Sequence, residues 1–393
     1  MRTVDAAGLG IGDDHPTRLM GVLNVSEESP YDPSVFDEPG EAAAYVDEEL
    51  IGEGADIVDV GLESANKRFE VLSAEEELQR LDTAIETMEM VSGDAVFSIE
   101  TRYHEVAEAA IKRGYDMVND IAGFADPEMP RVCAEYDVAV GKMASPPDLT
   151  APGAVEETDW EQRRSAEWAA QADYVDQVYE ALKQNGFTDK TIVDPAFGGW
   201  SEAKTVADDR ETFRRLREFR GLGYPMLVSI NRKNFLRSLA DRETEQALSV
   251  SLAATSMAVE RGAHVVRTHD VAETRDAAII GDAFTPERTK DTGVGVEQLD
   301  VRTVGDAERH LERIGGLAGE GEHAVTHVFE VTGLTDTQVD RLGNQAAANG
   351  AAVAPGEDAV LLIGSPAALS ALASAVEGEG ALGHALETVA DAV

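Results

Sequence analysis

The segment Gly54-Ala55-Asp56-Ile57-Val58-Asp59-Val60 shows the pattern that decides the fold. A stretch with helical periodicity, about 38–53, precedes Gly54, and this glycine can adopt the left-handed conformation of a helix C-cap. A short apolar run, Ile57 to Val60, follows it. The same join recurs at Gly114-Tyr115-Asp116 and at Gly262-Ala263-His264. A helix–glycine–strand join that recurs along the chain predicts a fold assembled from repeated strand–helix units.

Between residues 18 and 284 the chain contains eight strand-like apolar runs: Leu19 to Leu23, Ile57 to Val60, Ala95 to Ile99, Met117 to Val118, Val138 to Val140, Thr191 to Val193, Pro225 to Ile230 and His264 to Val266. Helical patterns follow them, at about 38–53, 73–92, 102–113, 127–136, 156–185, 205–220, 244–261 and 271–284. Eight units in roughly 265 residues fit an α/β fold of the (β/α)8 TIM-barrel type, which typically has about 250 residues. An open doubly wound sheet is the alternative, but the first strand–helix turn, Leu23 to Glu28, lacks the glycine cluster typical of that fold.

The charge of the chain excludes several classes of partner. Its 393 residues include 33 Lys and Arg against 75 Asp and Glu, a formal net charge of −42. A field of this sign repels nucleic acid and anionic lipid, so we expect neither as a partner. Only 8 of the basic residues are Lys, a composition that is typical of proteins from salt-loving organisms, where concentrated salt screens the self-repulsion. We therefore expect a halophilic protein.

Composition also predicts the domain organisation. We expect an N-terminal extension over 1–17, the barrel over 18–285, a linker and helix over 286–322 and a small C-terminal α/β appendage over 323–393. The apolar runs are too short to cross a bilayer and the N-terminus lacks a signal-peptide core, so we expect a cytoplasmic location. The single cysteine, Cys133, excludes an intrachain disulfide and is interpreted as a packing residue.

Polar residues follow all eight predicted strands, where TIM-barrel enzymes place their catalytic groups. Strands one to five lead into Asn24, Glu63, Glu100, Asn119-Asp120 and Lys142, and strands six to eight into Asp194, Asn231-Arg232-Lys233-Asn234 and Arg267-Thr268-His269-Asp270. Acids and amides from strands three, four and six thus face cations from seven and eight. This arrangement predicts a divided pocket.

Each side of the pocket suits a different ligand group. Glu100, Asp194 and Asn119 could bind the amino-pyrimidinone edge of a flat heterocycle such as a pterin. Arg267 and His269, with Asn24, could hold an anionic leaving group with a divalent ion. Some of these residues have structural alternatives: Asp120 and Asp270 could cap helices, and Glu63 could be a buried strut.

Six of these segments resemble dihydropteroate synthases, and the resemblance covers about residues 18–284. The matching segments are Met20-Gly21-Val22-Leu23-Asn24-Val25, Gly54 to Ser64 with Ser73 to Leu78, Gly114 to Ile121, Asp194-Pro195-Ala196-Phe197-Gly198, Arg232-Lys233 and Arg267 to Thr274. They occur in the family's order and on the corresponding strands. The resemblance implies a transferase of folate biosynthesis that joins a dihydropterin methyl diphosphate to 4-aminobenzoate and releases pyrophosphate.

The resemblance also implies a role for each matching residue. Glu100, Asn119, Asp194 and Lys233 would bind the pterin, and Arg232 would lie on the aminobenzoate side; we count Asn234 and Glu63 among the substrate-binding residues as well. Arg267 and His269 would hold the diphosphate, Asn24 would bind Mg²⁺, and the catalytic residues would be Lys233, Arg267 and His269.

The chain departs from the family pattern in five places, one of which is Asn234 in place of the Ser that follows the family's Arg-Lys. Glu100 replaces the family's Asp, and Ser26-Glu27-Glu28-Ser29-Pro30 replaces the first-loop Thr-Pro-Asp-Ser-Phe. In the second loop, Ser64 to Arg68 replaces Ser-Thr-Arg-Pro-Gly, and the strand-five His is missing beside Lys142. The pterin half of the site is therefore better supported than the arylamine half, and a related arylamine remains an alternative substrate.

Two other functions fit the same barrel: a pterin-dependent methyltransferase and a non-catalytic pterin-binding paralogue. The methyltransferase would explain the altered second loop, but it would not explain why Arg267 and His269 are kept. The stretch 244–261 is apolar over more than one face, which predicts a homodimer through this helix.

Overall fold

The computed structural model describes residues 1–25, 34–36, 38–63, 71–291, 295–378 and 380–393. The chain separates into two compact units, Met1–Glu287 and Arg288–Val393. The predicted linker, 286–322, thus falls almost wholly within the second unit. No helix in the described ranges is long and apolar enough to cross a membrane.

The first unit begins with an antiparallel hairpin, β1 (Val4–Ala6) and β2 (Leu9–Ile11). Eight parallel strands follow: β3 (Arg18–Asn24), β4 (Ile57–Gly61), β5 (Val96–Thr101), β6 (Met117–Asp120), β7 (Ala139–Met143), β8 (Thr191–Asp194), β9 (Leu227–Val228) and β10 (Val265–Thr268). They pair in the order β8-β7-β6-β5-β4-β3-β10-β9, and a parallel bridge between Val193 and Met226 joins the two ends. The predicted TIM barrel is confirmed.

The helices of this unit are α1 (Pro39–Tyr45), α2 (Ala74–Met90), α3 (His104–Ile111), α4 (Met129–Glu135), α5 (Trp160–Arg163), α6 (Ala166–Gln171), α7 (Tyr174–Ala181), α8 (Val206–Arg214), α9 (Asn234–Ala240), α10 (Leu248–Glu260) and α11 (Val271–Phe284). A π-helix, Val46–Ile51, continues α1, and 3₁₀ turns occur at Val155–Glu157, Leu216–Leu222 and Thr244–Gln246. The single helix predicted over 156–185 is wrong. Three separate helices form there because Asp159, Ser165 and Asp173 each accept a backbone N–H as an N-cap.

The N-terminal hairpin seals the amino end of the barrel. Its side chains Val4, Ala6 and Ile11 pack against one residue from every barrel strand: Met20, Ile57, Val96, Met117, Ala139, Ile192, Leu227 and Val265. Below the hairpin, Asp13 accepts from Arg220 Nη2 at 3.0 Å and contacts His264 Nε2 at 2.9 Å. The segment 1–17, which we expect to be an extension, thus contributes Val4, Ala6 and Ile11 to the barrel core.

The second unit contains a two-stranded and a three-stranded antiparallel sheet together with four α-helices in its described residues. Its strands are β11 (Lys290–Asp291), β12 (Val296–Glu297), β13 (His327–Thr332), β14 (Ala352–Pro355) and β15 (Ala359–Gly364), and its helices are α12 (Val304–Ile314), α13 (Asp336–Ala348), α14 (Pro366–Ala375) and α15 (Ala381–Asp391). The last three strands form an antiparallel sheet in the order β13-β15-β14. Leu342, Leu362, Leu369, Leu372 and Leu386 form its core, so this unit has a core of its own.

Candidate functional site

Strand alternation places polar side chains inside the barrel above the apolar layer that the hairpin covers. In β4, Ile57 lies in that lower layer and Val58 packs outward with the main core, so Asp59 faces the interior. The same parity places a second interior layer along the other strands: Val22, Ser98, Asn119, Gly141, Asp194 and Arg267. The barrel interior is therefore polar toward its carboxyl end.

Asp59 is the centre of this polar layer. It is fully buried, and it accepts hydrogen bonds from Ser98 Oγ at 2.7 Å, from Asn119 Nδ2 at 2.9 Å and from Arg267 Nε at 2.7 Å. Three strands and the candidate leaving-group cation are thus held by one carboxylate. The sequence analysis considered only polar residues at the ends of the predicted strands, which we call the strand-end rule. It missed Asp59 because this residue lies two positions before the end of β4.

Glu100 and Arg267 contact each other at the next level. Arg267 Nη2 donates to Glu100 Oε2 at 2.6 Å. Burial raises the pKa of Glu100 to about 7, and the positive charge of Arg267 opposes this rise. Among the described residues, Arg267 Nη1 has no acceptor, so one edge of the guanidinium is available to a ligand.

Asp194 and Lys233 lie together on the other side of the pocket. Asp194 accepts from the Ala196 N–H at 2.8 Å, and burial raises its pKa to about 6 although Lys233 and Arg267 oppose the rise. Burial and the nearby Arg267 lower the pKa of Lys233. Lys233 is half-buried, and within the described chain no acceptor lies at hydrogen-bond distance from its Nζ, so the ammonium is available to a ligand.

Asn24 and His269 meet through a residue that the sequence analysis did not single out. Asn24 Nδ2 donates to Ser34 Oγ at 3.0 Å, and Ser34 Oγ lies 3.3 Å from His269 Nδ1. Burial and the positive charge of Arg267 lower the pKa of His269 to about 3, so the imidazole is neutral. The three side chains bring the first and last barrel strands together at the mouth.

Three candidate substrate-binding residues have protein partners. Arg232 donates to both carboxylate oxygens of Asp270 at 2.8 Å, and Glu63 accepts from Arg102 Nη2 at 2.8 Å. Asn234 is exposed and accepts from Arg237. Their assignment to the substrate stays a prediction. The alternative that Asp270 caps a helix is wrong, because it makes no side-chain cap bond and pairs with Arg232 instead.

Two of the polar residues at strand ends point away from the pocket. Lys142 lies between the barrel and the outer helices, where Nζ donates to the carbonyls of Gln184 and Gly186 at 2.6 Å. Asp120 accepts from the N–H groups of Ala122 and Phe124, which fixes the loop after β6. The altered loop segments Ser26 to Pro30 and Ser64 to Arg68 lie outside the described residues.

The residues at the mouth fit a hydrated Mg²⁺. Asn24 offers its Oδ1, because its Nδ2 is used by Ser34. Mg²⁺ commonly keeps several waters and takes one or two protein oxygens together with substrate phosphate. In the described ranges a second group, His104, Glu105 and Asp126, has ligand atoms within 4.8 Å of one another, but its imidazole already contacts Asp126 at 2.7 Å.

Comparisons with known proteins agree on one family. Residues 20–269 match the family described as pterin binding enzyme. Dihydropteroate synthase from Bacillus subtilis is 31% identical over 270 residues, which cover 68% of this chain and 88% of that protein. A probable bifunctional folylpolyglutamate synthase/dihydropteroate synthase from Halobacterium salinarum is 33% identical, but the match spans only 31% of that longer relative.

Solved structures give the same result. Dihydropteroate synthase from Thermus thermophilus in complex with 4-aminobenzoate superposes with a TM-score of 0.56 and 28% identity, covering 72% of this chain and 100% of that one. The enzyme from Coxiella burnetii in complex with pteroic acid also gives 0.56 and 28%, and covers 72% and 98%. Each superposition covers about as many residues of this chain as the first unit contains.

Proposed function

Because this chain belongs to the pterin-binding enzymes, in the dihydropteroate synthase family of transferases, we propose that it condenses a dihydropterin methyl diphosphate with 4-aminobenzoate or a related arylamine and releases pyrophosphate. The observation that carries the proposal is the convergence of Asn119, Asp194, Lys233 and Arg267 on one pocket inside the barrel mouth. Of the ligands named for the solved relatives, pteroic acid is the oxidised form of the product of this reaction type, and 4-aminobenzoate is its second substrate.

The pterin is the better-defined substrate. A pterin edge offers ring and amino N–H donors next to a carbonyl oxygen, and the pocket offers the complementary set. Asp194 can accept from the N–H groups, because the Ala196 N–H uses only one of its two oxygens. Lys233 can donate to the carbonyl oxygen, and Asn119 keeps its Oδ1 as an acceptor because Asp59 uses only its Nδ2.

The diphosphate would lie toward Arg267, His269 and Asn24. Arg267 offers its Nη1 edge while Asp59 and Glu100 hold the rest of the guanidinium in place. His269 is neutral, so it can donate only one hydrogen bond and adds no charge. Mg²⁺, held by Asn24 Oδ1 and the diphosphate oxygens, would supply additional positive charge to the leaving group.

The proposed reaction breaks the bond between the pterin methylene carbon and the diphosphate oxygen, and the arylamine nitrogen forms the new bond to that carbon. Positive charge develops on the methylene and negative charge on the departing diphosphate. The carboxylates Glu100 and Asp194 favour the first, and Arg267 favours the second. The arylamine nitrogen then loses a proton to water or diphosphate. This route needs no protein nucleophile.

The direct test is pyrophosphate release in concentrated KCl from the pterin diphosphate and 4-aminobenzoate, comparing the wild type with Lys233→Ala and Asp194→Ala. We expect turnover that both substitutions abolish. Calorimetry with and without Mg²⁺ separates the alternatives, since Mg²⁺-linked binding of the diphosphate supports the synthase. Equal binding of a pterin without the diphosphate, with no pyrophosphate released, would instead support the methyltransferase or the non-catalytic paralogue.

We also propose that the protein is cytoplasmic and works at a high salt concentration. Under these conditions two barrels would associate through α10 and the adjacent α11. The outer surfaces of these helices expose Met257 at 45%, Ile279 at 56%, Ile280 at 52% and Phe284 at 75%. Apolar side chains that cluster in this way usually mark an interaction site. The mass in concentrated KCl should be that of a dimer, and the double variant Ile280→Glu/Phe284→Glu should be monomeric. A monomeric wild type would contradict the proposal.

A further inference from the structure

A tryptophan in the loop after β8 has an unsatisfied polar group. Trp200 Nε1 is buried, and no described residue accepts its hydrogen. An indole N–H that is shielded from water without an acceptor costs free energy, and native structures keep few such groups. The residue as a whole is only partly buried. Trp200 therefore lies at the rim of the pocket, with its Nε1 turned away from water.

Lys233 is the neighbour of this indole. Its Nζ lies 5.7 Å from the centre of the Trp200 ring. A Cβ placed on Gly198, which has φ of +129°, would lie 3.2 Å from Lys233 Nζ and 3.6 Å from Trp200 Nε1. Two N–H donors therefore border the same point beside Gly198, and the described residues place no acceptor between them. This is an arrangement that a ligand oxygen with two lone pairs would satisfy.

The indole is fixed by its surroundings. Gly153, which has φ of +73°, packs so closely on the ring that a Cβ there would lie 2.5 Å from it. The loop that carries the tryptophan is itself held by Asp209, which accepts from the Gly198 N–H at 3.3 Å and pairs with Lys204 at 2.9 Å. A donor held by two loops has less freedom to lose when a ligand binds.

We propose that Trp200 is a specificity-determining residue that reads the ring carbonyl of the pterin. Its Nε1–H and Lys233 Nζ donate to the two lone pairs of the same oxygen, while Asp194 accepts from the adjacent ring N–H. This inference rests on the proposed function, because it assumes that a pterin occupies the pocket. It adds a residue and an atom-level specificity: the site selects a carbonyl over an amino group at that ring position.

The test measures how two ligands bind to three proteins by calorimetry in concentrated KCl. The ligands are 6-hydroxymethylpterin and its 2,4-diaminopteridine analogue, in which an amino group replaces the carbonyl. The proteins are the wild type, Trp200→Phe, which removes the N–H and keeps an aromatic ring, and Trp168→Phe. Trp168 is a matched control because it lies on α6, where its ring is 5.3 Å from that of Trp160 and tilted by 51°.

We expect Trp200→Phe to weaken binding of the oxo-pterin by about 5- to 20-fold and binding of the diamino analogue by less than about twofold. Trp168→Phe should change neither affinity, and the thermal midpoint of Trp200→Phe should not fall, because the substitution removes an unsatisfied donor. Equal losses for both ligands, or no loss for the oxo-pterin, would overturn the inference while leaving the proposed function intact. Failure of the wild type to bind the oxo-pterin would contradict both.

Discussion

The two ends of the barrel are built from the same eight strands but differ in how their polar groups are satisfied. At the amino end the hairpin covers an apolar layer, and the carboxylate of Asp13 has both Arg220 and His264 as partners. At the carboxyl end Lys233 and Trp200 have donors that no described residue accepts, and burial shifts the pKa values of several groups. Pairing of Asp13 with Arg220 and His264 at one end stabilises the fold. Incomplete pairing at the other end leaves groups for a ligand, which is how one scaffold separates stability from activity.

The largest difference in activity should be seen between substitutions of two lysines, one at each end of the barrel. Lys233→Met should lower kcat/KM by about 10²- to 10³-fold, because it removes a cation aimed at the substrate. Its thermal midpoint should stay the same or rise, since the substitution removes a half-buried cation that no described residue accepts from. Lys190→Met is the matched control, because Lys190 precedes β8 at the amino end and pairs with Asp137 at 2.9 Å. Steady-state kinetics and a thermal scan in KCl check both, and similar losses of activity would contradict the separation.

The next effect concerns the ion group below the hairpin. Asp13→Ala should lower the free energy of unfolding by about 3 kcal/mol, because Arg220 and His264 would be left buried without their carboxylate. Activity measured well below the midpoint should not change. Urea unfolding in KCl measures the loss, with exposed Asp14→Ala as the neighbouring control. A comparable loss in the control would show that the two ion contacts are not the cause.

A smaller loss is expected from the apolar part of the seal. Ile11 is fully buried against the lowest layer of the barrel, so Ile11→Ala should cost about 2–3 kcal/mol of unfolding free energy. Leu239, which is 64% exposed on α9, provides the comparison, and Leu239→Ala should change the same quantity by less than about 0.5 kcal/mol. If both variants unfold at the same urea concentration, the hairpin contributes nothing to the core.

The smallest effect depends on pH and comes from a buried acid at the carboxyl end. Burial raises the pKa of Glu77 from 4.5 to about 8, while Thr101 donates to its Oε2. The folded state thus keeps a proton that the unfolded chain releases near pH 4.5, so wild-type stability falls as the pH rises toward 8. Glu77→Gln avoids this loss, and its advantage over the wild type should grow by roughly 2 kcal/mol between pH 5 and pH 6.5.

Glu76 is a control of opposite sign. Hydrogen bonds from the backbone and hydroxyl of Ser73 lower its pKa, so its carboxylate stabilises the fold above the unfolded pKa and loses that effect as the pH falls. Glu76→Gln should therefore become less stable than the wild type as the pH rises. Urea unfolding at several pH values measures both variants, and parallel pH profiles would refute the assignment of Glu77.

The strand-end rule found most of the site because parallel strands of a barrel must bring their carboxyl ends together. It is incomplete because it ignores which face each residue occupies. Asn119 and Asp120 are adjacent, yet only the first faces the interior, and Lys142 is turned outward by the same one-residue step. Alternation from Ile57 could have identified Asp59 as an interior acid.

Other features could not be read from local sequence. Ser34 reaches His269 across 235 positions, and the acceptor missing at Trp200 is visible only when the surrounding atoms are placed. The hairpin was unexpected because three-residue strands carry too little periodicity to predict their packing partner. In each case the contact depends on closure of the whole barrel rather than on neighbouring residues.

The seal at the amino end constrains the order of assembly. Asp13 and His264, which make one of its contacts, are 251 positions apart, and β3 pairs with β10 across a similar interval. During synthesis the hairpin cannot complete its packing until β10, the last barrel strand, has been made. Contacts between such distant positions form slowly. The hairpin residues, which are synthesised before every barrel strand, are thus among the last to reach their native neighbours, and an unfinished chain exposes them to misassembly.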